Sequence, residues 1–293
     1  MRYQFDWVDA FTDQPFGGNG CAVVHNAGDL SDAACMAFTR ETGLVECTFL
    51  EPSKQADMKV RYFMADREIP FAGHPTVASV ASMVNRGVAS AGELTLETGA
   101  GLIPIEIRIE NGVPVVSMTQ VAPEFGPEMS PDLVAAVGGL NDSDILGTPQ
   151  VVSTGLPFVV TVLKSREVLE KARMNVQALE ALRTEAGGAL KDVMEPFWVT
   201  LEGATAAGDT YSRLLLAPPL PPEDPFTGSA TGAMASYLWA NNLIETPTFV
   251  AEQGHGLGRP GQAHVELLGP RDAMTGVRVA GPGYVLMQGE VSI

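Results

Sequence analysis

The sequence predicts an α+β protein of two related domains, each with a sheet built around one apolar helix. A motif, E-x-P-F-x-G-x-x-T-x-A, occurs at residues 68–78 and again at 223–233, about half the chain apart. An apolar run rich in small residues follows each copy, at 77–84 and at 233–239. Two copies at half the chain length indicate an internal duplication rather than a longer array of repeats.

The first half of the chain has the pattern of an antiparallel sheet. Strands are predicted at residues 3–11, 20–25, 45–50, 58–63, 103–109 and 113–118. Asn111-Gly112, between the last two strands, is a strong signal for a two-residue hairpin turn. Ser31 and Gly43 have the residue types of a helix N-cap and a helix end. The helix after the first motif has no polar face, so we expect the sheet to bury it on all sides.

The second half predicts a similar mixture of strands and helices. Strands are predicted at 151–162 with a break at Gly155, and at 198–201, 211–216, 262–268, 275–279 and 284–293. A short helix is expected from Ser130-Pro131 to Gly138, and one surface helix at 166–185. Residues 119–131 are rich in proline and glycine and are interpreted as a linker. The predicted domains are 1–118, completed by the closing strand 284–293, and 119–283.

The charge and cysteine content exclude several classes of function. The formal net charge is −17 and the isoelectric point about 4.5, which argues against nucleic acid or an anionic membrane as a partner. Three cysteines without a CxxC pair suggest neither a disulfide framework nor a zinc site, and they fit a reducing compartment. No apolar run approaches the roughly 18 residues of a membrane span, and no signal peptide is recognisable. We therefore expect a cytoplasmic protein.

Each copy of the motif has the chemistry of a helix start. Pro75 suits the first helical position, and Ser229 suits an N-cap. Gly73 and Gly228 would let a ligand approach the backbone closely. The N–H groups and dipole of such a helix end favour a carboxylate or phosphate. Two ordinary buried helices are the alternative, but the duplication, together with His74 and the other polar tip residues, favours a cleft between two helix ends.

Taken together, these residues resemble the PhzF-like isomerases of phenazine biosynthesis, within the wider diaminopimelate-epimerase-like superfamily. The resemblance covers nearly the whole chain and rests on Asp9-Ala-Phe, Gly18-Asn19, Glu46–Phe49, Arg61–Phe63, 70–76, 223–230 and Gly258-Arg-Pro260. It implies two pseudo-symmetric domains, each an antiparallel sheet or barrel wrapped around one central helix, with the active site between them.

In that family a glutamate at the position of Glu46 moves a proton between carbon atoms, without a metal or an organic cofactor. The positions that match His74, Asp224 and Ser229 line the cleft. The expected catalytic residues are therefore Glu46, His74 and Asp224. The expected substrate contacts are Asn19, Gly73, Pro75, Thr76, Gly228, Ser229 and Ala230. The residues alone also allow structural roles for these positions. Glu46 could be an exposed strand residue, and His74 could cap a helix or lie in the core. Asp224 could interact only with a helix dipole, and Ser229 could be an ordinary N-cap.

The sequence departs from the family pattern in ways that bear on its chemistry. Val45, Gly20 and Phe226 replace a serine, a proline and a small residue, and the large ring of Phe226 could change the shape of the substrate. Diaminopimelate epimerases use two thiols, one in each duplicated loop, whereas neither loop here contains a cysteine. Cys47 is next to Glu46, but on a strand it would point to the opposite face. A two-thiol mechanism is not expected.

Three functions remain in competition. The first is a cofactor-independent isomerase that acts on a small anionic acid, cyclic or unsaturated. The second is a hydrolase that uses Ser229, His74 and Asp224 as a triad, although no G-x-S-x-G elbow is present. The third is a non-catalytic protein that binds an anion. No HExxH motif or His/Cys cluster indicates a metal, and a homodimer is expected because PhzF-like proteins often pair.

Overall fold

The chain divides into two compact units. The computed structural model describes residues 1–186, 193–218 and 220–293. The first unit comprises Met1–Met118 and Ala280–Ile293, and the second comprises Thr119–Val279. No described helix is both long and apolar enough to span a membrane.

The elements follow one another in the same general order in both halves. The first half contains β1 (Arg2–Ala10), β2 (Asn19–Val24), α1 (Asp32–Thr42), β3 (Cys47–Glu51), β4 (Met58–Phe63), β5 (Glu68–Ile69), α2 (Gly73–Asn85), β6 (Gly92–Thr98), β7 (Gly101–Glu110) and β8 (Val113–Gln120). The second half contains β9 (Glu124–Glu128), α3 (Pro131–Val137), β10 (Gln150–Ser153), β11 (Pro157–Val162), α4 (Arg166–Lys171), α5 (Val176–Ala186), β12 (Met194–Thr200), β13 (Thr210–Leu215), β14 (Glu223–Asp224), α6 (Gly228–Ala240), β15 (Thr248–Gln253), β16 (Gly261–Leu268) and β17 (Gly276–Ser292). Short 3₁₀ turns lie at Asp142–Asp144 and His255–Leu257.

The sheet of the first unit surrounds α2. Strand β1 is antiparallel to both β2 and β17, and β2 is parallel to β3. Strand β4 is antiparallel to β3 and parallel to β6, and an antiparallel meander continues through β7 to β8. Helix α2 packs against β1 to β4, and every residue from Gly73 to Met83 is buried. The apolar helix inside a sheet is confirmed.

The second unit repeats this pairing pattern strand by strand. Strands β10 and β11 are antiparallel, β11 is parallel to β12, and β12 is antiparallel to β13. Strand β13 is parallel to β15, which is antiparallel to β16. Helix α6 packs against β10, β11, β12 and β16, as α2 packs against its own sheet. The topology therefore shows the internal duplication that the repeated motif indicates.

Both sheets are mixed rather than purely antiparallel, which corrects the sequence prediction. Each of the parallel pairs named above is joined by a helical crossover, because parallel strands cannot be linked by a tight turn. Helix α1 links β2 to β3, α2 lies between β4 and β6, α4 and α5 lie between β11 and β12, and α6 lies between β13 and β15. Residue patterns predict strands, but they do not give the direction in which two strands pair.

Several local predictions are confirmed by cap and turn geometry. The Ser31 hydroxyl accepts a hydrogen bond from Ala34 N, and Gly43 ends α1 in the left-handed conformation with φ 68°. Asn111 and Gly112 also have positive φ, at 51° and 83°, as a hairpin turn of the primed type requires.

Residues 166–185 form two helices and not one. Helix α4 ends at Lys171, and Ala172 leaves the helical region with φ −57° and ψ 133°. Asn175 then accepts a hydrogen bond from Ala178 N at 3.1 Å through its side-chain oxygen, which caps the start of α5. The periodicity continues across the break, so only the capping asparagine marks it.

The predicted linker and the predicted pair of terminal strands are also wrong. Strand β9 lies inside residues 119–131 and pairs with β10. Strand β17 runs unbroken through Gly281-Pro-Gly283, which joins the two predicted strands 275–279 and 284–293 into one. A Cβ at Gly281 would lie 2.2 Å from the ring of Phe11, and one at Gly283 would lie 2.5 Å from Ala81. These glycines allow close packing of the strand and do not end it.

A buried polar cluster anchors the C-terminal end of α2. Arg86 donates hydrogen bonds to Asp6 at 2.6 and 2.8 Å, and His25 Nε2 lies 2.7 Å from Ser82 Oγ and 3.3 Å from Asp6 Oδ2. Burial alone would raise the pKa of Asp6. The hydrogen bonds from His25, Arg86 and Ser82 outweigh burial and hold that pKa well below its usual range. The charged carboxylate thus ties the helix end to β1.

Candidate functional site

The first copy of the motif places His74 at the start of α2. The helix begins at Gly73 with Ala72 as its N-cap, so Pro75 is the third helical residue and not the first, as the sequence suggested. The N–H groups of Gly73 and His74 point out of the helix, because an α-helix leaves its first N–H groups without internal partners. The Thr76 hydroxyl donates to Ala72 O at 2.7 Å, within the same turn.

The His74 ring is buried and has polar neighbours on one nitrogen. Its Nδ1 lies 3.2 Å from the amide nitrogen of Asn19 and 3.6 Å from Glu46 Oε2. Burial lowers the pKa of His74 to about 3, so the ring is neutral at pH 7 despite the nearby carboxylate. Because Asn19 donates to Nδ1, the ring proton lies on Nε2.

The Nε2 atom of His74 has no hydrogen-bond partner within the part of the chain that the structure describes, although it is buried. A buried donor without a partner is costly, so its presence in a folded protein indicates a group that pairs with something else. An oxygen acceptor on a bound molecule fits this donor.

Glu46 directly precedes β3 and does not lie within a strand. Its side chain is 15% exposed, against 6% for His74, so both groups are largely withdrawn from water. Cys47, the next residue, is fully buried, and burial raises the pKa of its thiol. Of these two neighbours, the Glu46 carboxylate is the one that lies beside His74.

The second copy of the motif places Asp224 at the end of β14, where the hydrogen-bonded loop to α6 begins. Thr227 is the N-cap and Ser229 is the second helical residue, so Ser229 is not the cap that the sequence suggested. The Thr227 hydroxyl donates to Asp224 Oδ2 at 2.6 Å. Asp224 is buried, Ser229 is partly exposed, and Ala230 is fully buried within the first turn of α6.

The repeated glutamate and threonine of the motif have structural partners in both copies. Glu68 forms a bidentate pair with Arg61 of β4 at 2.7 and 2.8 Å, and Glu223 pairs in the same way with Arg213 of β13 at 2.7 and 3.0 Å. Thr231 donates to Thr227 O at 3.0 Å, as Thr76 does to Ala72. The glutamate and threonine that the two copies share therefore stabilise each loop. The polar residues at the helix starts, His74 and Ser229, differ between the copies.

The structure brings the predicted site residues together in two groups, one in each unit. The first group is Asn19, Glu46, Gly73, His74, Pro75 and Thr76, and the second is Asp224, Gly228, Ser229 and Ala230. The sequence analysis missed Gln253, which hydrogen-bonds to the second motif loop. In the sequence, its place directly before Gly254 was the only local signal for it. Phe226 has a buried ring in this loop.

Among the described residues, no group of three or more histidine, cysteine, aspartate or glutamate side chains is arranged to hold a metal ion. The three cysteines are buried and unpaired with one another.

Known proteins resemble this chain along its whole length. A family model described as phenazine biosynthesis-like protein, PhzC-PhzF, matches residues 8–289. A protein named uncharacterized isomerase YddE, from Salmonella typhimurium strain LT2, is 32% identical over 304 aligned residues, covering 100% of this chain and 99% of that protein. The trans-2,3-dihydro-3-hydroxyanthranilate isomerase of Pseudomonas aeruginosa is 29% identical and covers 96% of each chain.

A solved structure gives the same result for the fold. The PhzF-family phenazine biosynthesis protein of Bacillus anthracis is 26% identical, has a TM-score of 0.88, and covers 100% of both chains. The relatives with a named activity are isomerases, so they give no support to the serine hydrolase or to a non-catalytic anion-binding protein.

Proposed function

The chain belongs to the phenazine biosynthesis-like PhzF family and is an isomerase, and we propose that it moves a proton between two carbon atoms of a small anionic acid, with Glu46 as the acid and base. The observation that carries this proposal is the Glu46 carboxylate, largely buried, 3.6 Å from a histidine that burial keeps neutral.

The chemistry follows from the states of these two groups. The Glu46 carboxylate takes a proton from one carbon of the substrate, which leaves the electron pair delocalised toward an electron-withdrawing group. The carboxylic acid then returns the proton to a different carbon, so the double bond moves and no atom is gained or lost. The Nε2–H of His74 donates to an oxygen of the substrate and holds it while charge develops.

Both copies of the motif contribute to this proposal. Helix starts at Gly73 and Gly228 would bind the carboxylate of the substrate, since the N-terminal end of a helix favours an anion. Asp224 and Ser229 would bind its other polar groups. A chain with net charge −17 needs such local donors to hold an anion.

The substrate class is a small unsaturated or cyclic carboxylic acid. The relative from Pseudomonas aeruginosa is named for trans-2,3-dihydro-3-hydroxyanthranilate, an acid with a ring, double bonds and a hydroxyl group. We propose that compound as the first member of a panel of cyclic and unsaturated acids. We also propose that the reaction needs no metal and no organic cofactor, because the sequence contains no motif for either.

Glu46→Gln tests the assignment, because it keeps the shape of the side chain and removes its basicity. We expect turnover to fall at least ~1,000-fold while the substrate still binds, the pattern of a group needed only in the transition state. The measurement is NMR, with a substrate deuterated at the migrating position in ordinary water. In the wild type, one carboxylate that carries one proton predicts partial retention of deuterium in the product.

Glu51→Gln is the matched control. Glu51 lies at the other end of β3, and its side chain is 17% exposed, close to the 15% of Glu46. It pairs with Lys59 at 2.6 Å and does not contact His74, so its loss should leave turnover within about 3-fold of wild type. Full activity in Glu46→Gln would remove Glu46 from the mechanism. Complete loss of label in the wild type would favour two-base chemistry.

A further inference from the structure

Gln253, the last residue of β15, hydrogen-bonds to the second motif loop through both the nitrogen and the oxygen of its side-chain amide. Its nitrogen donates to Asp224 O at 2.7 Å and to Thr227 Oγ1 at 3.2 Å. Its oxygen accepts from Thr227 N at 3.0 Å. The side chain is fully buried, so these three hydrogen bonds are made away from competing water.

The hydrogen bonds form a chain that ends on the Asp224 carboxylate. Thr227 Oγ1 accepts from Gln253 and donates to Asp224 Oδ2 at 2.6 Å, so the amide determines which way the hydroxyl proton points. Thr227 is also the N-cap of α6. The same amide therefore holds the carboxylate and the helix turn that contains Ser229.

The first unit shows what the fold needs without this amide. In both units a glycine that follows the parallel strand lies against the motif proline. A Cβ at Gly99 would be 2.8 Å from Pro70, and one at Gly254 would be 2.6 Å from Pro225 O. The residue before Gly99 is Thr98, and its hydroxyl donates to Gly101 O instead of the motif.

The residues that Gln253 holds are polar only in the second copy. Asp224 and Thr227 align with Ile69 and Ala72 of the first motif. The first loop thus forms its turn and its helix start with apolar residues at both positions. A loop of this type folds without the glutamine, the aspartate or the N-cap threonine, so this polar set serves something other than the fold of the loop.

We propose that Gln253 is a positioning residue, which acts through Thr227 to fix the Asp224 carboxylate and the first turn of α6 for the substrate. This inference rests on the proposed function, because Asp224 and Ser229 are assigned there to the polar groups of the substrate. Gln253 itself touches no reacting atom.

Gln253→Met tests the inference, because methionine fills a similar volume and makes none of the three hydrogen bonds. Gln262→Met is the matched control. Gln262 lies on the neighbouring strand β16 and donates to the buried Glu252 at 2.7 Å, away from the motif loop. For trans-2,3-dihydro-3-hydroxyanthranilate, we expect kcat/KM to fall ~30-fold in Gln253→Met and less than ~3-fold in Gln262→Met. A fall below 3-fold in Gln253→Met overturns the proposal.

Gln253→Glu adds a readout that a structural role would not produce. When protonated, its carboxyl group can donate to Asp224 O and accept from Thr227 N, as the amide does. When ionised, it has no proton to donate. Activity relative to wild type should be nearly restored at pH 5 and should fall at least 10-fold by pH 8. A ratio that is constant with pH overturns the positioning role, and this variant also serves if Gln253→Met fails to fold.

Hydrogen exchange measured by mass spectrometry needs no substrate and separates the two proposals. Gln253→Met should speed amide exchange in the segment 223–231 at least 10-fold, whereas Gln262→Met should leave that segment unchanged. Unchanged exchange in Gln253→Met overturns the inference even if the wild type is active. Faster exchange in Gln253→Met, together with no proton transfer by the wild type, would support the hydrogen-bonding role of Gln253 and contradict the proposed function.

Discussion

A hydrogen bond from Asn19 and an ion pair with Glu46 require opposite states of the same nitrogen of His74. Asn19 donates to Nδ1, which needs a bare nitrogen, whereas an ion pair with Glu46 would need a proton there. Burial favours the neutral ring. The contact between His74 and Glu46 is therefore not an ion pair, and the base of the proposed mechanism lies beside a neutral histidine.

The stability of the protein should depend on pH through His74. The unfolded chain binds a proton at this residue below about pH 6.5, while the folded chain does so only near pH 3. Stability is thus lost as the pH falls through this window, by up to about 1.4 kcal/mol per pH unit. His74→Gln removes this contribution. Between pH 7.5 and 5, the free energy of unfolding of the variant relative to wild type should rise by about 2 kcal/mol.

Urea denaturation at the two pH values measures this difference. His264→Gln is the control, because it makes the same substitution at an exposed histidine, on β16. Identical pH dependence in wild type and His74→Gln would show that the folded ring takes up a proton as readily as the unfolded one.

At the scale of elements, the two motif loops share a frame and differ in burial. The Arg213 and Glu223 side chains are 11% and 6% exposed, whereas those of Arg61 and Glu68 are 17% and 40% exposed. Arg61 also has a second carboxylate partner, Asp32, at 2.6 Å. Removal of the glutamate would therefore leave a buried arginine without this carboxylate in the second unit, but an arginine with a remaining carboxylate partner in the first.

Glu223→Gln should destabilise the protein far more than Glu68→Gln. The first change leaves a buried guanidinium without its counter-charge, which costs about 3 kcal/mol. The second leaves Arg61 paired with Asp32 near solvent and should cost less than about 1 kcal/mol. Urea denaturation at pH 7.5 gives both values, and equal losses would mean that burial does not distinguish the two pairs.

The sequence predicts those elements whose signals are local. The Asn111-Gly112 hairpin, the cap of α1 and the apolar helix α2 depend on residues close in the chain, and all three are confirmed. Parallel pairing, as between β2 and β3, depends on contacts between distant segments, so the sequence predicted an antiparallel sheet where the structure has a mixed one. The approach of Glu46 to His74 also joins segments far apart in sequence. Only the family resemblance suggested that pair, and spacing alone could not.

For the whole molecule, a homodimer remains a prediction. It rests on the family resemblance and on apolar side chains such as Leu102 and Ile109, which are exposed on β7. Sedimentation equilibrium at micromolar concentration should give about twice the 30.9 kDa of one chain. A single species with the mass of one chain would refute it.

Metal removal should leave the reaction of the whole enzyme unchanged. Dialysis against EDTA, followed by proton-transfer assays in metal-free buffer, should give rates within about 2-fold of the untreated protein, because the proposed step uses only Glu46 and hydrogen-bond donors. A loss of activity that zinc, magnesium or manganese restores would contradict cofactor independence.

The repeated Arg–Glu pair stabilises each motif loop independently of the residue at the start of the helix. A glutamate bound to the preceding strand and a threonine bound back to its own turn hold the loop in both halves, whichever residue occupies the tip. The two loops thus have the same supporting hydrogen bonds, and the residue at the equivalent position is His74 in one loop and Ser229 in the other. An exchange of His74 or Ser229 should therefore change the chemistry of one loop without disturbing the hydrogen bonds that hold that loop.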